Sequence, residues 1–379
     1  MRSGFAKLQE VIAMSKYQSH QKLPPVWLIK VITAFRTFLI HLNRKLFPGN
    51  VVLYEQFQNF WLLPSIYVAA KLDIAKLLKD NPLTVTEIAE RLDVDPLNVS
   101  RILRALSSQG IFKQTRDGRF AINSMAKGLL DEPGSLRYMI LHHLGPINWN
   151  LMSNLEVSVR TGKNAFTDKY GKEIWDFLKD HQDENALFDK SMSNLSELGL
   201  APILNAYEFS KFPLIIDLGG GEGFLLANIL RENAGCRGIL FDTNVALEKA
   251  SEMFAMHKVE SRTEIVSGDF FNSIPASGDL YILKNIIHNW SDEQAVKLLQ
   301  KIHQVIKPNG LLLIIEMVVP SGNGPSLAKL LDIQMMATMP GGKERTGSEY
   351  RTLLEKSGFS LSRIIPTIAP VSLIEAKKN

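Results

Sequence analysis

Cysteine is almost missing from this chain: Cys236 is the only one in 379 residues. A lone thiol excludes an internal disulfide and a cysteine metal cluster, and it suits a reducing cytoplasm. An excess of one charge is missing too. A net charge of +4 over this length gives no ground for nucleic acid as the main partner. There is no G-K-[ST] sequence, hence no P-loop, and no internal repeat or low-complexity tract. A spanning helix needs about 20 largely uncharged residues. The nearest approach, Val26 to Phe47, is rich in Trp, Leu, Ile and Phe but is interrupted by Lys30, Arg36, Arg44 and Lys45. A transmembrane segment is therefore not expected, nor is a signal peptide, for want of a short apolar core with a small-residue cleavage site. Two readings of this stretch stay open: a basic amphipathic helix resting on a membrane surface, or a helix packed on another subunit. The residues before it are polar and expected to be loose.

What is present is 45% apolar residues with moderate charge, the composition of an ordinary soluble globular protein long enough for two domains. Residues 1–49 read as an extension with an amphipathic helix, 50–205 as a mainly helical domain and 206–379 as an α/β domain. In the helical part, Tyr54 to Leu78 has helical apolar spacing. Thr84 or Thr86 can cap a short helix ending near Asp93. Asp95-Pro96 starts another that runs to Gly110. Ile111 to Ile122, with Asp117-Gly118 in the middle, reads as a hairpin. Helix, turn, helix and two-stranded wing make a winged-helix module. Such modules often bind DNA, but here Arg101 and Arg104 face nearby Asp93 and Asp95, a thin electrostatic footprint. Dimer contacts are the favoured use.

After Pro213 the texture alternates. Leu214–Leu218, Gly238–Phe241, Thr263–Val266, Leu280–Leu283 and Leu311–Ile315 read as strands. Ala246–Ala255 and Asp292–Ile306 read as helices. This pattern predicts a parallel, doubly wound, Rossmann-like sheet with its ligand beyond the carboxyl ends of the strands.

The richest stretch is Leu214-Ile-Ile-Asp-Leu-Gly-Gly-Gly-Glu-Gly223, a strand, a glycine turn and a helix start. Glycines such as Gly219 and Gly221 let backbone approach a ligand without a Cβ in the way. Asp217, just before them, would repel a pyrophosphate. A cationic ligand with an amine fits better, and S-adenosylmethionine has a sulfonium, an amino group and no phosphate. Asp242 follows the second strand, where it can accept from ribose hydroxyls. Asp269, in Gly-Asp-Phe-Phe, can accept from an adenine amine while Phe270 packs on the ring. His288, in Leu283-Lys-Asn-Ile-Ile-His-Asn-Trp290, falls at the ligand rim, where a neutral imidazole can take a proton from a hydroxyl. Trp290 can lie against the adenine. Glu316 ends the last strand, and Glu344 sits in Pro340-Gly-Gly-Lys-Glu-Arg-Thr346. Either can orient His288 as a triad acid does, or be a surface ion pair; Glu344 has Lys343 and Arg345 beside it.

These motifs, in this order and spacing over about residues 50–375, resemble those of the class I S-adenosylmethionine-dependent O-methyltransferases of the caffeic-acid and hydroxyindole type, with their bacterial relatives. The resemblance implies a helical winged-helix dimerisation domain, a homodimer and a small hydroxylated acceptor, an aromatic or polyketide-like, flat and apolar compound of specialised metabolism. It matches His288 to the catalytic base, with Glu316 and Glu344 flanking it. Gly219, Asp242, Asp269, Phe270 and Lys284 match cofactor positions, and Trp290 the adenine neighbour. Phe188, Met192, Met335 and Met339 fall where the family lines its acceptor pocket. No metal is implied. The expected reaction is removal of a phenolic or enolic proton by His288 and in-line attack of the oxygen on the sulfonium methyl. Departures are Asn289 in place of the usual aspartate, Met339 before Pro-Gly-Gly, and a long N-terminal extension. Asn289 suggests a less basic His288, or one that leans more on Glu316. Methylation at nitrogen or carbon, a non-methylating decarboxylase or hydroxylase, and a winged-helix DNA-binding regulator responsive to the cofactor are the alternatives.

Overall fold

The structure, a computed structural model, describes residues 24–379; the loose segment expected at the start of the chain lies outside the described residues. The chain divides into two units, one chiefly Val31–Ser153 with Leu178–Leu198, the other chiefly Asn154–Phe177 with Gly199–Asn379.

Three helices open the described chain: α1 (Val26–Lys45), α2 (Gly49–Phe57) and α3 (Asn59–Lys71). No residue of α1 or α2 is buried. Helix α1 is long and apolar enough to cross a membrane by length and composition alone. The winged-helix module follows. Helix α4 (Val85–Leu92) starts from Thr84, whose hydroxyl accepts from Glu87 N while Glu87 accepts from Thr84 N at 2.7 Å, a reciprocal cap. Helix α5 (Pro96–Ser108) starts from Asp95, which accepts from Asn98 N at 2.8 Å. Strands β1 (Lys113–Gln114) and β2 (Phe120–Ala121) pair antiparallel. The turn between them holds Gly118 at φ +82°, left-handed backbone suited to glycine. Leu103, Leu106, Phe112 and Phe120 anchor the core of this unit. The long helix α6 (Gln182–Ala206) completes the helical portion.

The second unit holds an eight-stranded sheet: β3 (Leu214–Leu218), β4 (Arg237–Asp242), β5 (Thr263–Ser267), β6 (Leu280–Lys284), β7 (Leu311–Val319), β8 (Arg345–Thr346), β9 (Phe359–Pro366) and β10 (Val371–Lys378). Its order is β5-β4-β3-β6-β7-β10-β9, with β8 paired to the end of β7. The five strands read from sequence are parallel as expected. The sheet is mixed rather than wholly parallel because β10 runs antiparallel to both β7 and β9. The main helices around it are α7 (Phe224–Glu232), α8 (Ala250–Met256), α9 (Asp292–Val305), α10 (Leu327–Thr338) and α11 (Gly347–Lys356). Alternate residues of each strand face opposite cores. Ile215, Leu240, Ile282 and Leu313 pack with Leu226 of α7. Ile216, Tyr281, Leu283 and Ile314 pack with Leu298 of α9 and Leu354 of α11. Burial on both faces is why these strands read as continuous apolar runs.

The connection order reverses beside β3: β4 lies on one side of it and β6 on the other. Such a switch point opens a crevice at the carboxyl ends. Leu218 pairs with Phe241, and Lys284 with Ile315. Asp242 and Lys284 end β4 and β6, and Asp217 is one residue short of the end of β3. Glu316 does not end its strand as expected, because β7 runs on to Val319 to pair with β8, but it sits beside Asn285 just past the end of β6.

Candidate active site

At the turn after β3, Gly219 has φ +70° and its N–H donates to Phe241 O at 2.8 Å. A Cβ there would fall 2.4 Å from Ile286 Cδ1, and one on Gly220 would fall 2.6 Å from Asp217 Oδ2. Both positions need glycine for packing as well as for access. Asp217 is buried, and neither of its carboxylate oxygens has a hydrogen-bond partner. Burial pushes its pKa up to about 7, with the Lys284 charge opposing and that of Asp242 adding to the rise. Burial likewise brings Lys284 down to about 8, while Asp217 holds it up. A buried carboxylate with no donor normally needs an explanation. Beside a turn that a side chain would fill, it fits the ammonium group of an amino-acid-bearing cofactor.

Asp242 accepts Gly221 N at 2.8 Å and Thr243 N at 2.7 Å. Burial raises its pKa against the pull of those two bonds. Each oxygen keeps a second lone pair, enough to take ribose hydroxyls as well. Asp269 is exposed and turned to its own loop, accepting from Phe271 N at 2.8 Å and Asn272 Nδ2 at 3.0 Å. Phe270 reaches the glycine turn, its Cε1 lying 3.8 Å from a Cβ placed on Gly219. Trp290 stands edge-on to Phe270 at 6.0 Å and to Phe271 at 4.7 Å. Its buried Nε1 has no partner. Gly219, Gly221, Asp217, Asp242 and Phe270 thus gather at one end of β3, with Trp290 behind Phe270.

His288 lies in a single turn, Ile287–Asn289, directly after β6. Its Nδ1 is 2.7 Å from Glu344 Oε1. A carboxylate accepts only, so it fixes the proton on Nδ1 and leaves the Nε2 lone pair free of that bond. Glu344 is 3% exposed, and its own N–H donates to Asp332 Oδ1 at 2.8 Å. The reading of Glu344 as a surface ion pair is therefore corrected: Lys343 and Arg345 both pair with Asp292 instead. Glu316 does not touch the imidazole. Its Oε1 accepts Ile286 N at 2.9 Å and His288 N at 3.2 Å, and its Oε2 accepts the Tyr350 hydroxyl. It anchors the backbone that carries the histidine, while Glu344 meets the ring.

Burial works against protonation of His288, but the Glu344 hydrogen bond and the charges of Glu316 and Glu344 outweigh it, so its pKa is raised. The raised value runs against the first outcome expected of Asn289, a less basic histidine; the second, reliance on Glu316, is met in part, since the Glu316 charge contributes to the rise. Asn289 turns away, donating to Asn285 O at 3.2 Å, and Glu344 supplies the missing charge. Burial also raises the pKa of Glu316, against the opposing pull of His288 and Tyr350.

Three contributors escaped the sequence reading: Arg345, Tyr350 and Asp332. Arg345 is fully buried. Its Nη1 donates to Ile287 O at 3.0 Å, its Nη2 to Trp290 O at 2.8 Å, and its Nε and Nη2 to Asp292 Oδ1. Lys343 N adds a bond to His288 O at 2.9 Å. The loop around His288 is thus held from both flanks. The only sequence signal for Arg345 was its place beside Glu344, and Tyr350 and Asp332 gave none. Of the four pocket residues, Met335 and Met339 are buried in the same unit as His288, and Met339 packs against Gly342. Phe188 and Met192 lie on α6 in the first unit, the Phe188 ring edge-on to His142 at 5.5 Å.

Known proteins resemble this chain over most of its length. A family model described as the O-methyltransferase domain matches residues 152–360. A second, the O-methyltransferase dimerisation domain, matches residues 54–132. The phenazine O-methyltransferase PhzM of Lysobacter antibioticus is 34% identical over 87% of this chain and 96% of its own length. The mitomycin biosynthesis 6-O-methyltransferase of Streptomyces lavendulae is 32% identical over 85% of this chain and 92% of its own. The crystal structure of human N-acetylserotonin methyltransferase in complex with S-adenosylmethionine superposes with a TM-score of 0.80 at 26% identity, covering 88% of this chain and 98% of that one.

Proposed function

The chain belongs to the S-adenosylmethionine-dependent O-methyltransferases, and from that premise we propose that His288 is the base that prepares an acceptor hydroxyl for methylation. The enzyme is a homodimer through its dimerisation domain, and its acceptors are small hydroxylated molecules. The observation that carries the proposal is the 2.7 Å pair of His288 Nδ1 and Glu344 Oε1, one turn beyond β6 at the carboxyl rim of the sheet.

The bound cofactor supplies an activated methyl group, so the chain's own work is placement and proton removal. Asp217 would hold the cofactor's ammonium group with the two oxygens that lack a protein partner. Asp242 takes the ribose hydroxyls. Gly219 and Gly221 keep the approach open. Phe270 and Trp290 would hold the adenine, Asp269 would offer its remaining lone pairs to the adenine amine, and Lys284 balances the carboxylates at the rim. His288 Nε2 accepts the hydroxyl proton, and Glu344 stabilises the imidazolium that results. Glu316 fixes the position of His288 through its backbone N–H. General base help of this type is worth about 10²–10⁴-fold, and correct placement of the two reactants contributes a larger share. Met335 and Met339, buried in the same unit as His288, supply an apolar lining for a flat acceptor. Relatives named for phenazine and mitomycin substrates support a polycyclic aromatic or polyketide-like hydroxyl compound.

We assign residues 50–205 to dimerisation, 206–379 to catalysis and 1–49 to an extension. The exposed aromatics Tyr54, Phe57, Phe60 and Trp61 are the apolar surface for the partner subunit to cover. We place the enzyme in the cytoplasm, with peripheral membrane contact through α1. Calorimetric titration with S-adenosylmethionine and then S-adenosylhomocysteine tests the cofactor assignment. One saturable site per chain for each supports it; folded protein that binds neither overturns it.

A further inference from the structure

We propose that α1 lies in the plane of an anionic lipid surface, its apolar stripe among the acyl chains and its basic stripe toward the headgroups. The reading is independent of the methyltransferase chemistry. Helix α1 is 20 residues long with no buried residue. Trp27, Val31, Phe35, Phe38 and Leu42 recur at three- and four-residue spacing, and each is exposed. That spacing places them on one face. Lys30, Thr33, Thr37, His41 and Arg44 recur in the same way about a third of a turn around the helix, and Arg36 lies farther round, opposite the apolar residues. Lys45 closes the helix, and no Asp or Glu occurs anywhere from Val26 to Lys45.

The polar stripe decides between spanning and lying flat. A crossing helix would place Lys30, Thr33, Thr37 and His41 at successive depths in the hydrocarbon, each without a partner. An in-plane helix leaves that whole stripe in the headgroup layer, where aromatic and aliphatic side chains of the apolar stripe gain burial. Charge decides between lipid and a second copy of the chain. Two α1 helices brought together would offer each other cations with no counter-charge, whereas an anionic leaflet is complementary along the full length. Dimerisation also has its own domain, whose match begins at Tyr54, after α1 has ended.

The test is flotation of the full-length homodimer with vesicles of phosphatidylcholine alone and of phosphatidylcholine with phosphatidylglycerol. The protein should float with the mixed vesicles, release as salt is raised, and stay behind with the neutral ones. The double variant K30Q/R44Q should bind about 30-fold more weakly, and F35E/F38E should not bind. Both variants should remain dimeric and turn over a water-soluble phenol at the rate of the parent, since α1 holds no catalytic group. No flotation by dimeric, active protein overturns the proposal. So does dissociation of either variant to monomers, which would make α1 a subunit contact. Resistance of the bound protein to carbonate extraction would overturn it in favour of a spanning helix.

Discussion

Replacing Glu344 with Gln probes the catalytic pair most finely. The 2.7 Å contact with His288 Nδ1 is a hydrogen bond to an ionised group, a class worth about 1.5–3 kcal/mol. It favours imidazolium over imidazole. In the parent enzyme the base form of His288 therefore appears only above the ordinary histidine value, because its pKa is raised. The acidic limb of kcat/KM should rise through a pH above about 6.5. Without the Glu344 charge that limb should move down by about 1–2 pH units. The same interaction stabilises the imidazolium forming in the transition state, so the plateau at high pH should fall by about 10–100-fold. Stability carries the same sign. A raised native pKa contributes stability below the unfolded value, and that contribution is lost as pH rises through the native value. The variant should therefore lose more stability at pH 5.5 than at pH 9. The assay is a pH profile of kcat/KM, taken with the phenol well below its KM, with S-adenosylhomocysteine binding as a control. A limb that stays in place with an unchanged plateau refutes the pairing of Glu344 with the base.

Asp217→Asn should separate stability from binding. The native carboxyl holds its proton to about pH 7, while an unfolded one ionises near 3.9. Parent stability should therefore fall as pH rises between those values and level off above. The variant without cofactor should melt higher than the parent at pH 7.5 yet bind S-adenosylhomocysteine more weakly; a lower melting point with unaltered affinity contradicts this. Arg345→Met removes a fully buried guanidinium from two carbonyls and Asp292. Because Asp292 is solvent-exposed, the cost should sit near 3 kcal/mol, the lower end for a broken buried pair, about what two or three lost bonds imply. Urea unfolding should show that loss, and kcat should fall while cofactor affinity holds.

The catalytic domain was legible because its strands are buried on both faces and its turns carry glycine. Leu214–Leu218 agrees to the residue, and the neighbouring strands agree within a few. The wing of the first unit was legible from Asp117-Gly118 and the caps at Thr84 and Asp95. The hairpin of β9 and β10 was not, since Ser360, Ser362 and Arg363 break the apolar pattern of β9 and its partner becomes plain only through pairing across the sheet. At the site, residues on strand ends were readable because the sheet dictates where they emerge. Glu316 illustrates the limit: it was read as the end of a strand that in fact runs on to Val319, and its use as a backbone anchor depends on how residues 285–288 turn, with Asn285 at φ +56°. Arg345 and Tyr350 act across long sequence separations, through contacts that no local spacing encodes.

The most direct measurement of the central claim is single-turnover methyl transfer from S-adenosylmethionine to a flat phenol, comparing the parent with His288→Ala in parallel with S-adenosylhomocysteine binding. The account predicts a loss of about 10²–10⁴-fold in the chemical step with cofactor affinity retained. Turnover of the variant at the parent rate would contradict it and remove His288 from the reaction.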